Sequence, residues 1–313
     1  MSAPNTQPIR RRAAGRNIWL AHGDADAGQA ISRFDARPYE YEVLETEEAV
    51  GRAQLEELRR AAREKEGDLV VLLLGGRGAQ AMYKILGRLA AEGTEEDALL
   101  ARLHVFTQDA LAPMRMDNGL SFVRDFERLL GEAFFRKVKS FTPMRTDTDD
   151  LEGALVSYVE RLERLGGIDI FFLGLGPEAG AASHLAYIKP GSGATASDVA
   201  GVIPISSSIL EHHINKFKVG GSHVTPEDEA ECRAATHILT LGPAAILGAR
   251  RVVQSIVDAS TAPAKRASYR RVLETEISDD PAERAAQMDE NPGLWLRLHP
   301  NVRSLILPDV LEE

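Results

Sequence analysis

Residues Leu69 to Leu74 are all apolar, and they run directly into Gly75-Gly76-Arg77-Gly78. A short apolar run ended by glycines reads as a buried strand. From Ala79 to Ala91 the pattern changes, with Met82, Ile85, Leu86 and Leu89 recurring at helical spacing. Strand, glycine turn and helix N-terminus present free backbone N–H groups and the positive end of a helix dipole to any anion at the turn. Gly75 and Gly76 let the backbone approach a ligand closely, and Arg77 is placed to add a charge-assisted contact. The turn lacks the lysine and hydroxyl of a P-loop and the spacing of a dinucleotide fingerprint. Glycines that serve only turn geometry give the same pattern.

The stretch Ile168 to Ser192 repeats the arrangement with more chemistry behind it. Ile168, Ile170, Phe171, Phe172 and Leu173 read as a buried strand, broken by Gly174-Leu175-Gly176-Pro177. Glu178, Ser183, His184 and Lys189 follow. A strand that ends in a glycine turn and then a histidine is how open α/β sheets present ligands, although a plain connecting loop has the same form. A third strand, Leu103–Thr107, is followed by Gln108 and Asp109. A carboxylate there suits general-base chemistry, and it suits a helix cap or turn equally.

The remaining segments supply the frame. Apolar stripes at helical spacing mark helices over 47–65, 121–135 and 150–165. Thr225 is a natural N-cap for a short acidic helix, and Thr236–Leu241 alternates as a strand. Over 244–258 the period permits a helix, while Gly248 and the β-branched Val252, Val253, Ile256 and Val257 speak against one. Lys265 lies in the first turn of a helix, where positive charge opposes the dipole, so it is a functional candidate as well as an ordinary surface lysine. Strands alternating with helices predict an α/β fold. Its sheet is open, largely parallel, doubly wound and Rossmann-like, flanked by helices, with ligands at the strand C-termini.

Composition removes several function classes. A net charge of −10 argues against a general nucleic-acid binder. A single cysteine, Cys232, excludes an internal disulfide and a cysteine-based metal cluster. His212 and His213 are adjacent, so a helix splays them onto different faces, and no metal site is expected. No apolar run approaches the ~20 residues of a bilayer span, and no signal core follows Arg10-Arg11-Arg12. The expectation is a cytoplasmic protein with no membrane partner. Residues 1–16 read as a disordered tail and residues 17–313 as a single α/β domain.

Several pieces occur in a telling order between about Tyr39 and Leu307. They are Gly75-Gly76 with Tyr83-Lys84, Phe106-Thr107-Gln108-Asp109, and Gly174-Leu175-Gly176-Pro177. After them come His184-Leu185-Ala186-Tyr187 with Pro190-Gly191-Ser192, and Leu296-Arg297-Leu298-His299-Pro300. In that order they resemble the glucosamine-6-phosphate deaminases and their relatives the 6-phosphogluconolactonases. The resemblance implies a sugar phosphate as ligand, no cofactor, a homo-oligomer as one possible state, a turn near Gly248 and a strand over 251–258. It places Gly75 and Gly76 at the phosphate and Asp109 at the C1–C2 proton shuttle. His184 falls on the ring-opening histidine, and Lys265, after a gap, on a phosphate-binding lysine.

The departures are as informative. The family has an aspartate two positions before the histidine, whereas here Glu178 stands six before it as the candidate acid partner. Lys189 occupies a glutamate's place and would lower the histidine's pKa. Arg77 replaces a hydroxyl residue, Ala110 replaces the second acid after the strand, and Ser206-Ser207-Ser208 stands where a phosphate-binding arginine is expected. The candidate catalytic residues are therefore Asp109, His184 and Glu178. The candidate substrate-binding residues are Gly75, Gly76, Arg77, Gly176, Ser183, Lys189, Ser207 and Lys265. The function expected is that of a divergent isomerase/deaminase on an amino-sugar phosphate. The alternatives are a non-catalytic phosphosugar-binding homologue and a lactonase-like hydrolase.

Overall fold

In the computed structural model, which describes residues 8–23 and 39–312, the two apolar runs lie side by side at the centre of a seven-stranded sheet. Its order is Tyr41–Val43, Val302–Ile306, Val252–Ile256, Ile170–Leu173, Leu69–Leu73, Leu103–Thr107, Ser140–Thr142, and every pairing is parallel. Parallel strands are covered on both faces, so their inner members need apolar side chains pointing both ways. Val70 and Leu72 accordingly enter one core, with Leu155, Tyr158 and Leu162 of the helix Leu151–Arg164. Leu69, Val71 and Leu73 enter the other, with Leu58 of the helix Glu47–Glu64, Met82 of Gln80–Glu92 and Phe126 of Phe122–Lys137. The ambiguous segment resolves into a short helix, Pro243–Gly248, and the strand Val252–Ile256, as the family resemblance implies and the β-branched residues allow.

A second sheet is antiparallel throughout, with the order Ile9–Ala14, Asn17–His22, Asp198–Pro204, His237–Leu241, Asp109–Ala112. It corrects the expectation of a disordered tail over 1–16. Residues 9–14 form a strand that turns through Gly15 (φ +60°) and pairs with Asn17–His22. Arg12 donates to the fully buried carboxylate of Asp198, and Arg11 pairs with Glu152 at 2.8 Å. The arginines are thus partners within the fold, and Trp19 behind them is fully buried with its indole N–H 3.0 Å from the Ser192 carbonyl. Residues 1–7 of the expected tail lie outside the described residues. Among the described residues, no helix is long and apolar enough to cross a membrane.

Candidate active site

The C-terminal ends of the strands Leu69–Leu73, Leu103–Thr107, Ile170–Leu173 and Val252–Ile256 meet at a cleft of about 540 Å³, counting its open mouth. At its edge the Gly75-Gly76 turn is held in a form that other residues resist. Gly76 has φ +106°, and a Cβ at Gly75 would stand 2.4 Å from the Phe122 ring. Arg77 opens a single turn of 3-10 helix, Arg77–Ala79, that leads into Gln80–Glu92. Its guanidinium bonds the Glu47 carboxylate, so part of its charge is already answered.

His184 is delivered by a hairpin, Leu175–Pro177 against Ser183–Leu185, in which it stands directly opposite Gly176. A Cβ on Gly176 would come 1.9 Å from His184 Nε2, so the ring occupies space that only glycine leaves open. Nδ1 lies 2.9 Å from a Glu178 carboxylate oxygen. An ionised carboxylate only accepts, which puts the imidazole proton on Nδ1 and the lone pair on Nε2 in the cleft wall. The hairpin explains how six residues of separation still make a pair, because the Glu178 N–H bonds the Ala182 carbonyl at 2.9 Å and folds the chain back. Ser206 donates to the second Glu178 oxygen at 3.3 Å. Beyond the histidine, Ala186 (φ +46°) and Tyr187 (φ +57°) both sit in the left-handed region, an unfavourable state for such residues. Thr240 pins this bend by donating to the Ala186 carbonyl, and Tyr187 stacks on the His184 ring at 4.3 Å. Burial lowers the imidazole pKa, Glu178 opposes that, and Lys265 and Lys216 add to it.

Asp109 stands where the chain leaves the parallel sheet and enters the antiparallel one, paired with Thr240. It is 2% exposed, and its Oδ1 has no hydrogen-bond partner among the described residues. Burial lifts its carboxyl to about 8 against the opposing pull of Lys216 and Gln108. Two lysines complete the wall. Lys265 donates to Asp258 at 2.6 Å. Burial works to raise the Asp258 carboxyl, and Lys265, Lys216 and Arg77 together hold it below its usual range. Lys216 is different, with its Nζ 5.8 Å from the ring centres of Phe122 and Phe217 and no carboxylate contact among the described residues. Burial and the neighbouring Lys265 lower its pKa.

No protein-family model matches the sequence, and no curated protein matches it. Solved structures do match. A monomeric glucosamine-6-phosphate deaminase superposes with a TM-score of 0.66 at 20% identity, over 87% of this chain and 98% of that one. The 6-phosphogluconolactonase of Trypanosoma cruzi gives 0.61 at 16% identity, covering 88% and 96%, and that of Trypanosoma brucei 0.60 at 19%, covering 88% and 98%. The fold is that of the glucosamine-6-phosphate deaminases and 6-phosphogluconolactonases.

Within this deaminase and lactonase fold the cleft gathers Asp109, His184, Gly75, Arg77, Gly176 and Lys265, with Glu178 behind the histidine and Gly76 against Lys216. Three candidates fall elsewhere. Lys189 lies beyond the left-handed bend and donates to the Pro204 carbonyl at 2.6 Å, so the lysines acting on His184 are Lys265 and Lys216 instead. Ser183 alternates with His184 along its strand and is buried away from the cleft lining. Ser207 is exposed on the first turn of the helix Ser207–Val219, because Ser206 takes the N-cap. Sequence reasoning misses Lys216 and His212. Their signal was available, since Ile209, His212 and Lys216 share one helical face at i, i+3 and i+7 and all three line the cleft. Burial, followed by Lys216, pushes His212 down to about 4, so it stays neutral there.

Proposed function

We propose that the protein is a sugar-phosphate enzyme that opens an aldose ring and moves a proton between C1 and C2, with an amino-sugar phosphate as substrate. The observation that carries this reading is the 2.9 Å contact between Glu178 and His184, which supports an acid-backed histidine despite the six-residue spacing. The printed names of the structurally similar proteins, a glucosamine-6-phosphate deaminase and several 6-phosphogluconolactonases, support a phosphorylated sugar as the substrate class.

The phosphate takes the amides of the Gly75–Gly78 turn and the uncommitted ammonium of Lys216, with Lys265 and Arg77 nearby. His184 Nε2 accepts the anomeric hydroxyl proton and returns it to the ring oxygen, while Glu178 stabilises the transient imidazolium. Asp109, as the carboxylate, takes the proton from C2 and delivers it to C1, while a proton of the substrate's ammonium passes to the carbonyl oxygen at C1, leaving a hydroxyl at C1 and a protonated imine at C2. Water adds to that carbon and ammonia departs, which gives the ketose phosphate. A lactonase would use His184 to activate water and would have no carbon-bound proton for Asp109 to move, so the buried carboxyl favours the isomerising reaction.

The deciding experiment is ammonia release from glucosamine 6-phosphate, run beside hydrolysis of 6-phosphogluconolactone, with Asp109→Asn in both. Ammonia release that vanishes in the variant is the expected result. Lactone hydrolysis that survives Asp109→Asn, without ammonia release, would replace this reading with the hydrolytic one.

A further inference from the structure

Behind the cleft floor lies a second, much smaller chamber with room for about one water. Met114, Met116, Met144 and Phe122 contribute to its wall beside smaller apolar and hydroxyl residues, and Asp109 and His213 are its two titratable members. Both residues are almost fully buried, at 2% and 1% exposure. Each also carries an orphan: neither Asp109 Oδ1 nor His213 Nδ1 has a hydrogen-bond partner among the described residues.

The histidine's protonation follows from its other contact. Nε2 lies 2.7 Å from the Leu120 carbonyl, which only accepts, so Nε2 carries the proton and Nδ1 offers a lone pair. That contact, with the stacking on Phe217 at 4.3 Å, accounts for where the ring sits. It leaves the Nδ1 lone pair without a partner, on a residue that lines the same chamber as Asp109, whose Oδ1 also lacks one. A buried acceptor with no partner is costly, and two such atoms on residues that line one small space can be satisfied together by a single bridging molecule.

We infer that Asp109 and His213 hold one ordered water between them in this chamber, and that His213 is thereby a positioning residue for the Asp109 carboxyl. The water donates to Nδ1 and accepts from the carboxylic acid, so it favours the protonated acid and fixes which carboxyl oxygen faces away from the cleft. Burial and Lys216 press His213 down to about 3, which keeps the acceptor available at every working pH. The other groups acting on Asp109 are its neighbour Gln108, Lys216 from the same helix as His213, and Tyr83, Tyr158 and Tyr187 from three further elements. The tyrosines are all held well above their usual range and stay neutral, so Lys216 and Gln108 are the groups that compete with the water for control of the carboxyl.

The inference rests on Asp109 as the proton carrier, and it is tested on substrate-free protein by following the Asp109 carboxyl through a pH titration with carbon-13 NMR. Asp109→Asn identifies the signal. His213→Gln keeps a donor for Leu120 and deletes the lone pair at the Nδ1 position, whereas His213→Asn keeps an acceptor there and loses the Leu120 bond. The glutamine variant should titrate about one pH unit lower than the native protein, and the asparagine variant within a few tenths of it. Equal shifts in both variants, or none in the glutamine variant, would overturn the proposal. A crystal structure of the native protein gives a reading that needs no variant to fold. Solvent within about 3.2 Å of both Oδ1 and Nδ1 is expected, and a chamber without it refutes the bridge. Absent ammonia release with the titration as expected would count against the proposed reaction and leave the bridge standing.

Discussion

A carboxyl held near 8 inside the fold keeps a proton at neutral pH that the unfolded chain releases. Asp109 therefore favours the folded state most below about pH 4, and this stability is lost as pH rises toward 8. At 1.36 kcal/mol per unit, the penalty at pH 7 is on the order of 4 kcal/mol. Asp109→Asn should accordingly melt at a higher temperature than the native protein at pH 7.5, with the gain shrinking toward pH 4, while turnover is lost throughout. An unchanged melting temperature at pH 7.5 would mean that the carboxyl is better solvated than its burial indicates. For the proposed reaction the same property sets the pH dependence. The base form of Asp109 grows as pH rises through about 8, and His184, its pKa lowered, is already neutral there. kcat/KM should then climb from pH 6 to 9, and a flat profile over that range would exclude Asp109 as the base. At this scale Asp109 and His184 were legible because each follows an unmistakable strand. Lys216 was not, because a lone lysine on a mixed helix carries no mark until the helix is docked.

Among the elements, the hairpin around Gly176 shows most plainly what linear spacing conceals. Read along the chain, Glu178 is too far from His184, yet the turn closed by Ala182 brings the two into contact. The geometry also makes Gly176 indispensable in a way that a glycine count could not reveal. In Gly176→Ala, the new Cβ must displace the His184 ring from a position 1.9 Å away. The variant should keep its circular-dichroism spectrum and lose turnover by about a hundredfold, the scale expected for a misplaced catalytic group. Retention of full activity would mean that the ring works from another position. The central strands posed no such difficulty. Their side chains are buried on both faces, so the unbroken runs of valine, leucine and phenylalanine announce them.

At the scale of the whole molecule the parallel sheet was legible, while of its antiparallel companion a single strand such as Thr236–Leu241 was, but not the pairing that joins it to the N-terminal residues. The strand Ile9–Ala14 begins with three arginines in four residues, a composition that resembles a tail until its partners are known. Those partners lie far away in sequence. Asp198, which anchors Arg12, is separated from it by 186 positions. Arg12→Ala leaves a fully buried carboxylate without its cation, and a loss of about 3 kcal/mol in denaturant titrations is expected. A dispensable tail would leave the midpoint unmoved. The two sheets meet at Asp109, which is almost fully buried at the seam. As the proposed base, a carboxyl so buried exchanges its hydrogen slowly with the medium. Glucosamine 6-phosphate carrying deuterium at C2 should pass that label to C1 of the ketose product in ordinary water, as mass spectrometry would register. Complete washout would mean that the enclosure opens on every turnover. Conserved label would make the seam an isotopic vault, in which a hydrogen removed from one carbon is returned to the next.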